Sequence, residues 1–378
     1  MRWPVVTGIA LMVGLSLPAG AEGMQPYQMV RSLHRLQDRI ADGDHAALPM
    51  QRRLLGVIDE RLRATDPAVF EDPRNIRALL VYGASGGNPA TLESIVGRLA
   101  LGERERMLSE GIVRYARGDF AGARAMLEGF DPLATEDTLA APLALMMGAL
   151  LSQEDPVGAL RLFDKARLLS PGTLIEEAAL RRSITLSASA HDVERFALAS
   201  RQYVRRFLRS PYASQFAESF VSAVIALQAE VDLGLVEEVV AGMTPEQART
   251  IYLRIARQSA IEGHERLLAF ASRNARKHAV EQGDERDPRA VLYANLAAVT
   301  GENAEKVLKT LKEIDAQRLS PGDRRLLRAA TEIAEEVVAP PSPEAAQDAT
   351  IDEDGALFLA ETREKLAAID ALLREETP

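Results

Sequence analysis

The sequence predicts an all-α fold: a solenoid of helical hairpins, followed by a C-terminal linker and a single helix. Three observations lead to this prediction. The composition favours helices, because 47% of the 378 residues are hydrophobic and only 5% are aromatic. Apolar residues recur at helical spacing along most of the chain, and one helical motif returns after 40 residues. A chain of this length exceeds one compact core, as expected for two domains or a solenoid.

The motif lies in the stretch DPVGALRLFDKARLLSPG, from Asp155 to Gly172. Pro156 is tolerated in the first helical turn because its missing N–H would have no partner there. Apolar or small side chains fall on or beside one face of the helix: Ala159, Leu160, Phe163, Ala166 and Leu168. The order of alanines, aromatic residue and final Pro171 resembles the second helix of a tetratricopeptide repeat (TPR).

Recurrence of the motif supports this interpretation. The small residue, the aromatic residue and the proline return 40 positions later as Ala199, Tyr203 and Pro211. A weaker copy between residues 118 and 132 has Asp119, Phe120, Ala123 and Leu127 at matching offsets. We therefore expect a degenerate TPR-like solenoid over residues 22–338. The extended surface of such an array favours a binding role over catalysis.

Apolar stripes mark the helices of this region in order. Before residue 100 they are Tyr27, Val30, Leu33, Leu36 and Ile40; Leu54, Leu55, Ile58 and Leu62, starting at Pro49; Ile76, Leu79 and Leu80; and Leu92, Ile95, Val96 and Leu99, starting at Thr91. Later stripes are Leu139, Leu143, Met146, Met147 and Leu150; Phe216, Phe220, Val224, Leu227 and Val231; Ile251 and Ile255; Leu267, Leu268 and Ala271; Val291, Leu292 and Leu296; and Val307, Leu311 and Ile314. The clearest helix starts are Thr244-Pro245-Glu246-Gln247 and Ser320-Pro321.

The first 21 residues read as a signal peptide. An apolar core at residues 5–17 is followed by an A-x-A site, which predicts cleavage between Ala21 and Glu22. The alternative is an uncleaved anchor, but the apolar run is short for a membrane span and Pro18 follows it. No other apolar run is long enough to cross a bilayer. We expect a periplasmic protein without a membrane span after cleavage.

Charge and cysteine content exclude several classes. The formal net charge is −10, which argues against binding to nucleic acid or to anionic lipid. The chain has no cysteine, so it is not a disulfide scaffold and has no thiol nucleophile or cysteine metal ligand. A signal peptide without cysteines suggests a bacterial periplasmic location.

The composition changes at Ala339. Residues 339–355 are rich in proline and then acidic, which predicts a linker. Residues 356–376 predict one amphipathic helix, with an apolar stripe made of Leu359, Leu366, Ile369, Leu372 and Leu373. The helix either caps the solenoid, as repeat arrays require, or binds a partner as a tether. The cap is the commoner arrangement.

Catalytic patterns are mostly absent. Residues 42–45 read D-G-D-H, and these side chains could hold a metal ion. Asp and Gly are also common in turns between helices, and we favour the interpretation as a turn. Glu218-Ser219 resembles the catalytic pair of helical lytic transglycosylases. The residues after this pair do not match that family, and we expect Glu218 to lie on a solvent face. We expect no enzyme activity and no cofactor.

The Gly86-Gly87 pair invites comparison with a phosphate-binding loop. It lacks the Gly-Lys-Ser/Thr of the Walker pattern and the preceding strand of a dinucleotide fingerprint. We interpret it as a turn between two helices. Exposed loops often carry binding, so the candidate partner-binding residues are Tyr82, Gly86, Gly87 and Asn88.

Two stretches resemble a known family. YQMVRSLHRLQDRIADGDHAALPMQRRLL (27–55) and RNIRALLVYGASGGNP (74–89) are similar to the start of mature MotC, a periplasmic motility protein encoded with flagellar motor genes. The resemblance implies a protein needed for flagellar rotation that binds the periplasmic part of the stator subunit MotB. It supplies no binding residues that could be placed on this chain.

Other functions stay open at this point. A general periplasmic TPR-like envelope scaffold would share the signal peptide and the repeats. A cell-wall enzyme on a helical scaffold is less favoured, because no candidate acid stands out in the sequence.

Overall fold

The computed structural model describes residues 24–135, 137–281, 287–296, 298–299 and 303–339. All regular secondary structure among these residues is helical, as the sequence predicts, and they contain no strand. The chain divides into two compact units, residues 1–282 and 283–378. The predicted signal peptide with its Ala21–Glu22 cleavage site, the linker beyond Ala339 and the helix at 356–376 lie outside the described residues. They stay predictions.

The helices of the first unit follow one another with short connections. They are α1 (Pro26–Ala41), α2 (Ala47–Ala64), α3 (Pro73–Ala84), α4 (Pro89–Val96), α5 (Glu103–Arg117), α6 (Phe120–Leu127), α7 (Asp137–Leu151), α8 (Pro156–Leu169), α9 (Leu174–Ser189), α10 (Val193–Phe207), α11 (Ala213–Ala226), α12 (Leu233–Ala241), α13 (Pro245–Glu262) and α14 (Glu265–Glu281). Short 3-10 helices lie at Pro67–Glu71 and Pro132–Ala134.

Neighbouring helices pack as hairpins. Extensive contacts join α1 with α2, α5 with α6, α7 with α8, α9 with α10 and α13 with α14, and α8 also packs on α9. This arrangement is compatible with the predicted helical-repeat solenoid. The N-terminal helix departs from nearest-neighbour stacking, because α1 also contacts α3 and α9. Leu36 and Ile40 of α1 form a small core with Ala47, against which Leu174 and Tyr212 pack.

The central motif folds as predicted. Asp155 caps α8 by accepting a hydrogen bond from the N–H of Gly158, and Pro156 occupies the first turn. The ring of Phe163 is fully buried in a cluster of alanines and leucines, and Ala159 and Ala166 have no exposed surface. The small residues therefore allow the close helix packing that the motif predicts.

Three helices of the first unit start in the same way. Asp119, Asp155 and Asp192 each cap a helix by accepting from the N–H three residues later. These caps are 36 and 37 residues apart, whereas the aromatic residues Phe163 and Tyr203 are 40 apart. The second aromatic thus lies about one turn further along its helix. Both remain buried because positions three apart share a helix face.

Some sequence expectations were wrong in detail. Leu168 is 68% exposed rather than packed on the buried face of α8. It follows Phe163 by five residues, which places it roughly 140° around the helix. The second helix begins at Ala47, before Pro49, and α4 begins at Pro89 instead of Thr91.

Several apolar residues assigned to helices lie just beyond them. Leu99 follows α4, and Leu227 and Val231 follow α11, although the last two are buried. The start at Thr244 is confirmed: its hydroxyl accepts from the N–H of Gln247, whose side chain accepts from the N–H of Thr244.

The second unit contains α15 (Pro288–Leu296), α16 (Ala304–Lys312), a 3-10 helix at Ala316–Arg318 and α17 (Pro321–Val338). The predicted start at Ser320 is confirmed, since its hydroxyl accepts from the N–H of Asp323 at 3.1 Å. The hydroxyl of Tyr293 donates to the buried Asp323 carboxylate at 2.7 Å and thereby joins α15 to α17.

Candidate functional site

The Gly86-Gly87 loop ends α3 and leads into α4. The N–H of Gly87 donates to the carbonyl of Tyr82 at 2.9 Å, and the N–H of Gly86 donates to Gly83 at 3.3 Å. This is the Schellman pattern of helix termination, which needs a left-handed residue just after the helix. Gly86 supplies it with φ of +85°. The loop is therefore the helix–helix turn that the sequence predicts.

Tyr82 points into the protein and organises the turn. Its side chain is only 1% exposed. Its hydroxyl donates to Asp59 Oδ1 at 3.2 Å and accepts from the N–H of Asn88 at 2.8 Å. Burial, together with the nearby Asp59 carboxylate, raises the pKa of Tyr82 to about 12, so the hydroxyl keeps its proton.

Asp59 is the centre of this polar cluster, which we call the Asp59 network (Asp59, Arg63, Tyr82, Asn88 and Thr91). Arg63 pairs with the Asp59 carboxylate and donates from Nε to the hydroxyl of Thr91 at 2.9 Å. Asn88 Nδ2 reaches Asp59 Oδ2 at 3.4 Å. Because its members come from α2, α3, the turn and α4, the network ties these three helices together.

The four predicted loop residues thus have different environments. Tyr82 and Gly87 are buried, Asn88 is half-buried and caps α4 through the N–H of Ala90, and Gly86 is exposed. Partner binding by this loop stays a prediction, with Gly86 as the member that solvent reaches most. No motif in the sequence singles out Asp59. The only hint in the sequence is that Asp59 is an acidic residue directly after Ile58, which belongs to the apolar stripe of α2.

Gly87→Ala should destabilise the protein by about 1–3 kcal/mol. An added Cβ would lie 2.6 Å from Cδ1 and Cζ of Tyr82, and this ring cannot swing away because its hydroxyl is bound on both sides. Urea unfolding followed by circular dichroism measures the loss. Gly56→Ala is the matched control, because a Cβ there meets nothing and α2 should gain roughly 0.5–1 kcal/mol. Equal effects of the two substitutions would contradict the packing argument.

The Asp59 network should make stability depend on pH. Burial raises the pKa of Asp59, but hydrogen bonds from Thr91, Arg63, Asn88 and Tyr82 outweigh it, so the pKa lies below its usual value. A carboxyl group with a lowered pKa in the folded state stabilises the fold at any pH above its unfolded-state pKa, which is near 3.9. This stabilisation is lost as the pH falls through the pKa of the folded state. The stability gap between wild type and Asp59→Asn should therefore be constant from about pH 7 to 5 and shrink below about 4. A gap that stays unchanged until acid unfolding would refute this assignment.

A second buried polar cluster lies between α9 and α10. Glu177 is fully buried and accepts from the hydroxyl of Tyr203 at 2.8 Å and from Arg181 Nε at 3.1 Å. Its neighbour Glu176 accepts from Arg206 Nη1 at 2.8 Å. Adjacent buried carboxylates can serve acid–base chemistry, but these are occupied by their own donors. The cluster is a structural link between the two helices.

The remaining candidates are ordinary structural features. Residues 42–45 form the turn between α1 and α2, where Asp44 accepts from Arg39 Nε at 3.1 Å and His45 Nε2 lies 3.1 Å from the Arg209 carbonyl. Among the described residues, no three His, Asp or Glu side chains are grouped to hold a metal ion. Glu218 lies on the exposed face of α11, as expected. Within the same residues, no helix is long and apolar enough to cross a membrane.

Comparison with known proteins gives a consistent result. The sequence profile of the family described as "MotC: Chemotaxis protein MotC" matches residues 2–378. The Chemotaxis protein MotC of Rhizobium meliloti (strain 1021) is 41% identical over 342 residues, which cover 88% of this chain and 76% of the relative. No solved structure matches the chain.

Proposed function

The chain belongs to the MotC family, and from this membership we propose that it acts in the periplasm by binding the periplasmic part of the stator protein MotB. Membership gives the chain a role in motility and chemotaxis. The proposed binding supports flagellar rotation. The observation that carries the proposal is the family match along almost the whole chain.

The structure supports binding over catalysis on physical grounds. A series of helical hairpins offers a large surface for its length. The buried polar clusters at Asp59 and Glu177 have their hydrogen-bonding capacity taken up by neighbouring helices. Polar groups committed in this way stabilise the fold and are not free to exchange protons with a substrate.

Calorimetry tests the partner directly. Residues 22–378 are titrated with the purified periplasmic region of MotB at two salt concentrations. We expect saturable binding that weakens at higher salt, because an acidic chain with charged faces associates partly by electrostatic attraction. Absence of binding between two folded proteins would refute the MotB proposal.

Gene deletion tests the role in the cell. We expect loss of swimming while flagellar filaments still assemble. Envelope defects without a motor defect would instead favour a general scaffold, and digestion of peptidoglycan by the purified protein would favour an enzyme.

The periplasmic location has its own test. We expect the protein in the periplasmic fraction, with Glu22 as the N-terminal residue of the mature chain. A cytoplasmic protein that keeps its first 21 residues would refute this part of the proposal.

A further inference from the structure

An open groove of about 510 Å³ runs between α1 and α2 on the surface of the first unit. Its floor is apolar and consists of Leu36, Met50, Leu54 and Val57. Two of these side chains are exposed, Met50 at 50% and Val57 at 40%. The groove therefore presents apolar side chains to solvent, where the apolar stripe of another helix could bury them.

Arginines border this floor. Arg35 and Arg39 lie one turn apart on α1, and Arg53 faces them from α2. Arg39 is paired with Asp44, whereas Arg35 and Arg53 have no carboxylate partner among the described residues. We call this surface the arginine groove: Arg35, Arg39 and Arg53 around Leu36, Met50, Leu54 and Val57.

The charge of the groove contrasts with that of the chain. The whole sequence carries a net charge of −10, yet α1 has three arginines and one acidic residue, Asp38. Asp38 lines a different cavity, together with His34 and Gln37. The nearest exposed carboxylate on α2 is Glu60, one turn beyond Val57 and outside the groove lining. The groove therefore offers unpaired positive charge beside apolar surface.

We propose that the arginine groove binds an acidic amphipathic helix of the motor partner. This inference rests on the proposed function for the identity of that partner. A helix with an apolar stripe fits the space between two helices, and glutamate or aspartate on its flanks would pair with Arg35 and Arg53. Two observations favour a helix over an anionic lipid surface. The groove is concave, and the chain as a whole carries a net charge of −10, which anionic lipid repels.

The first experiment uses a defined probe. A fluorescent 20-residue peptide of leucine, alanine and glutamate, with leucines at helical spacing, is titrated into the full mature chain, and a counterpart with lysine for glutamate is titrated in parallel. We expect the acidic peptide to bind at least about tenfold more tightly than the basic one. The double variant Arg35→Glu/Arg53→Glu should lose roughly tenfold or more in affinity for the acidic peptide.

The matched control is Arg325→Glu/Arg328→Glu on the exposed face of α17, which changes the net charge by the same amount. It should leave peptide affinity within about twofold of wild type. Both double variants replace exposed side chains, and unchanged circular dichroism and melting temperature verify folding. Equal losses of peptide affinity in the two double variants, or equal affinity for the two peptides, would overturn the proposal that the arginine groove is the binding site.

The same variants are then titrated with the periplasmic region of MotB. If wild type binds MotB and Arg35→Glu/Arg53→Glu binds equally well, the groove assignment fails while the proposed function stands. If MotB does not bind but the acidic peptide does so through the groove, the MotB proposal fails while the groove chemistry stands. Self-association in sedimentation that requires the groove arginines would show that the groove binds a second copy of the chain. Binding to anionic vesicles that requires the same arginines would show that it binds lipid. Either result would overturn the proposal.

Discussion

Phe163→Ala should destabilise the first unit by about 3–5 kcal/mol. The ring is fully buried in the centre of the repeat motif, and its neighbours include Ala144, Ala159, Ala166 and Ala179. Alanines cannot extend into the space that the ring leaves. The cavity therefore collapses little, and the cost falls toward the upper end of this range.

The ring also lies directly against the backbone of α7. A Cβ added at Gly148 would come within 2.6 Å of Phe163 Cε1, so glycine is the residue that allows this approach. Urea unfolding followed by circular dichroism measures the effect. Phe120→Ala is the matched control, since Phe120 is 57% exposed in α6, and its loss should stay below about 1 kcal/mol. Similar losses at the two positions would show that the motif does not place its aromatic residue in the core.

Glu177→Ala should cost about 3 kcal/mol of unfolding free energy. The substitution leaves the hydroxyl of Tyr203 and the guanidinium of Arg181 without the carboxylate that they share. When a buried polar group has no hydrogen-bond partner, the cost of removing it from water is no longer offset and lowers the stability of the fold. Tyr203→Phe removes one donor and leaves Arg181 on the carboxylate, so its loss should be smaller, about 1–2 kcal/mol.

Glu218→Ala provides the comparison for this prediction. Glu218 is exposed on α11 and has no polar partner in the described structure, so its removal should change stability by less than about 0.5 kcal/mol. A Glu177→Ala protein as stable as Glu218→Ala would mean that the buried cluster contributes nothing to holding α9 on α10.

Local sequence signals are sufficient for several helix starts and for the end of α3. Asp155-Pro156, Thr244-Pro245 and Ser320-Pro321 begin helices in the structure as predicted. Gly86 ends α3 because a helix terminus of this type needs a left-handed residue. These features depend on groups within a few residues of one another, and therefore the sequence reveals them.

Packing between distant segments was not visible in the sequence. Nothing in the chain indicated that α1 contacts α9, or that Asp59 would bind Tyr82 and Asn88 across three helices. The sequence makes Tyr82 a candidate contact residue for a partner, but it does not show that the Tyr82 hydroxyl binds Asp59 and Asn88 inside the protein. An amphipathic pattern shows that a side chain is buried, but not which element buries it.

The sequence alone is enough to predict the all-helical class, the helix starts at Asp155, Thr244 and Ser320, the Phe163 motif and the resemblance to the MotC family. Each depends on residue type and on short spacings, which act through local backbone preferences and helical periodicity. The tertiary structure was needed to show that Asp59 and Glu177 anchor buried clusters and that arginines border the α1–α2 groove. Those outcomes depend on the angle and depth at which helices meet, and these are set by the sum of many contacts between residues far apart in the chain.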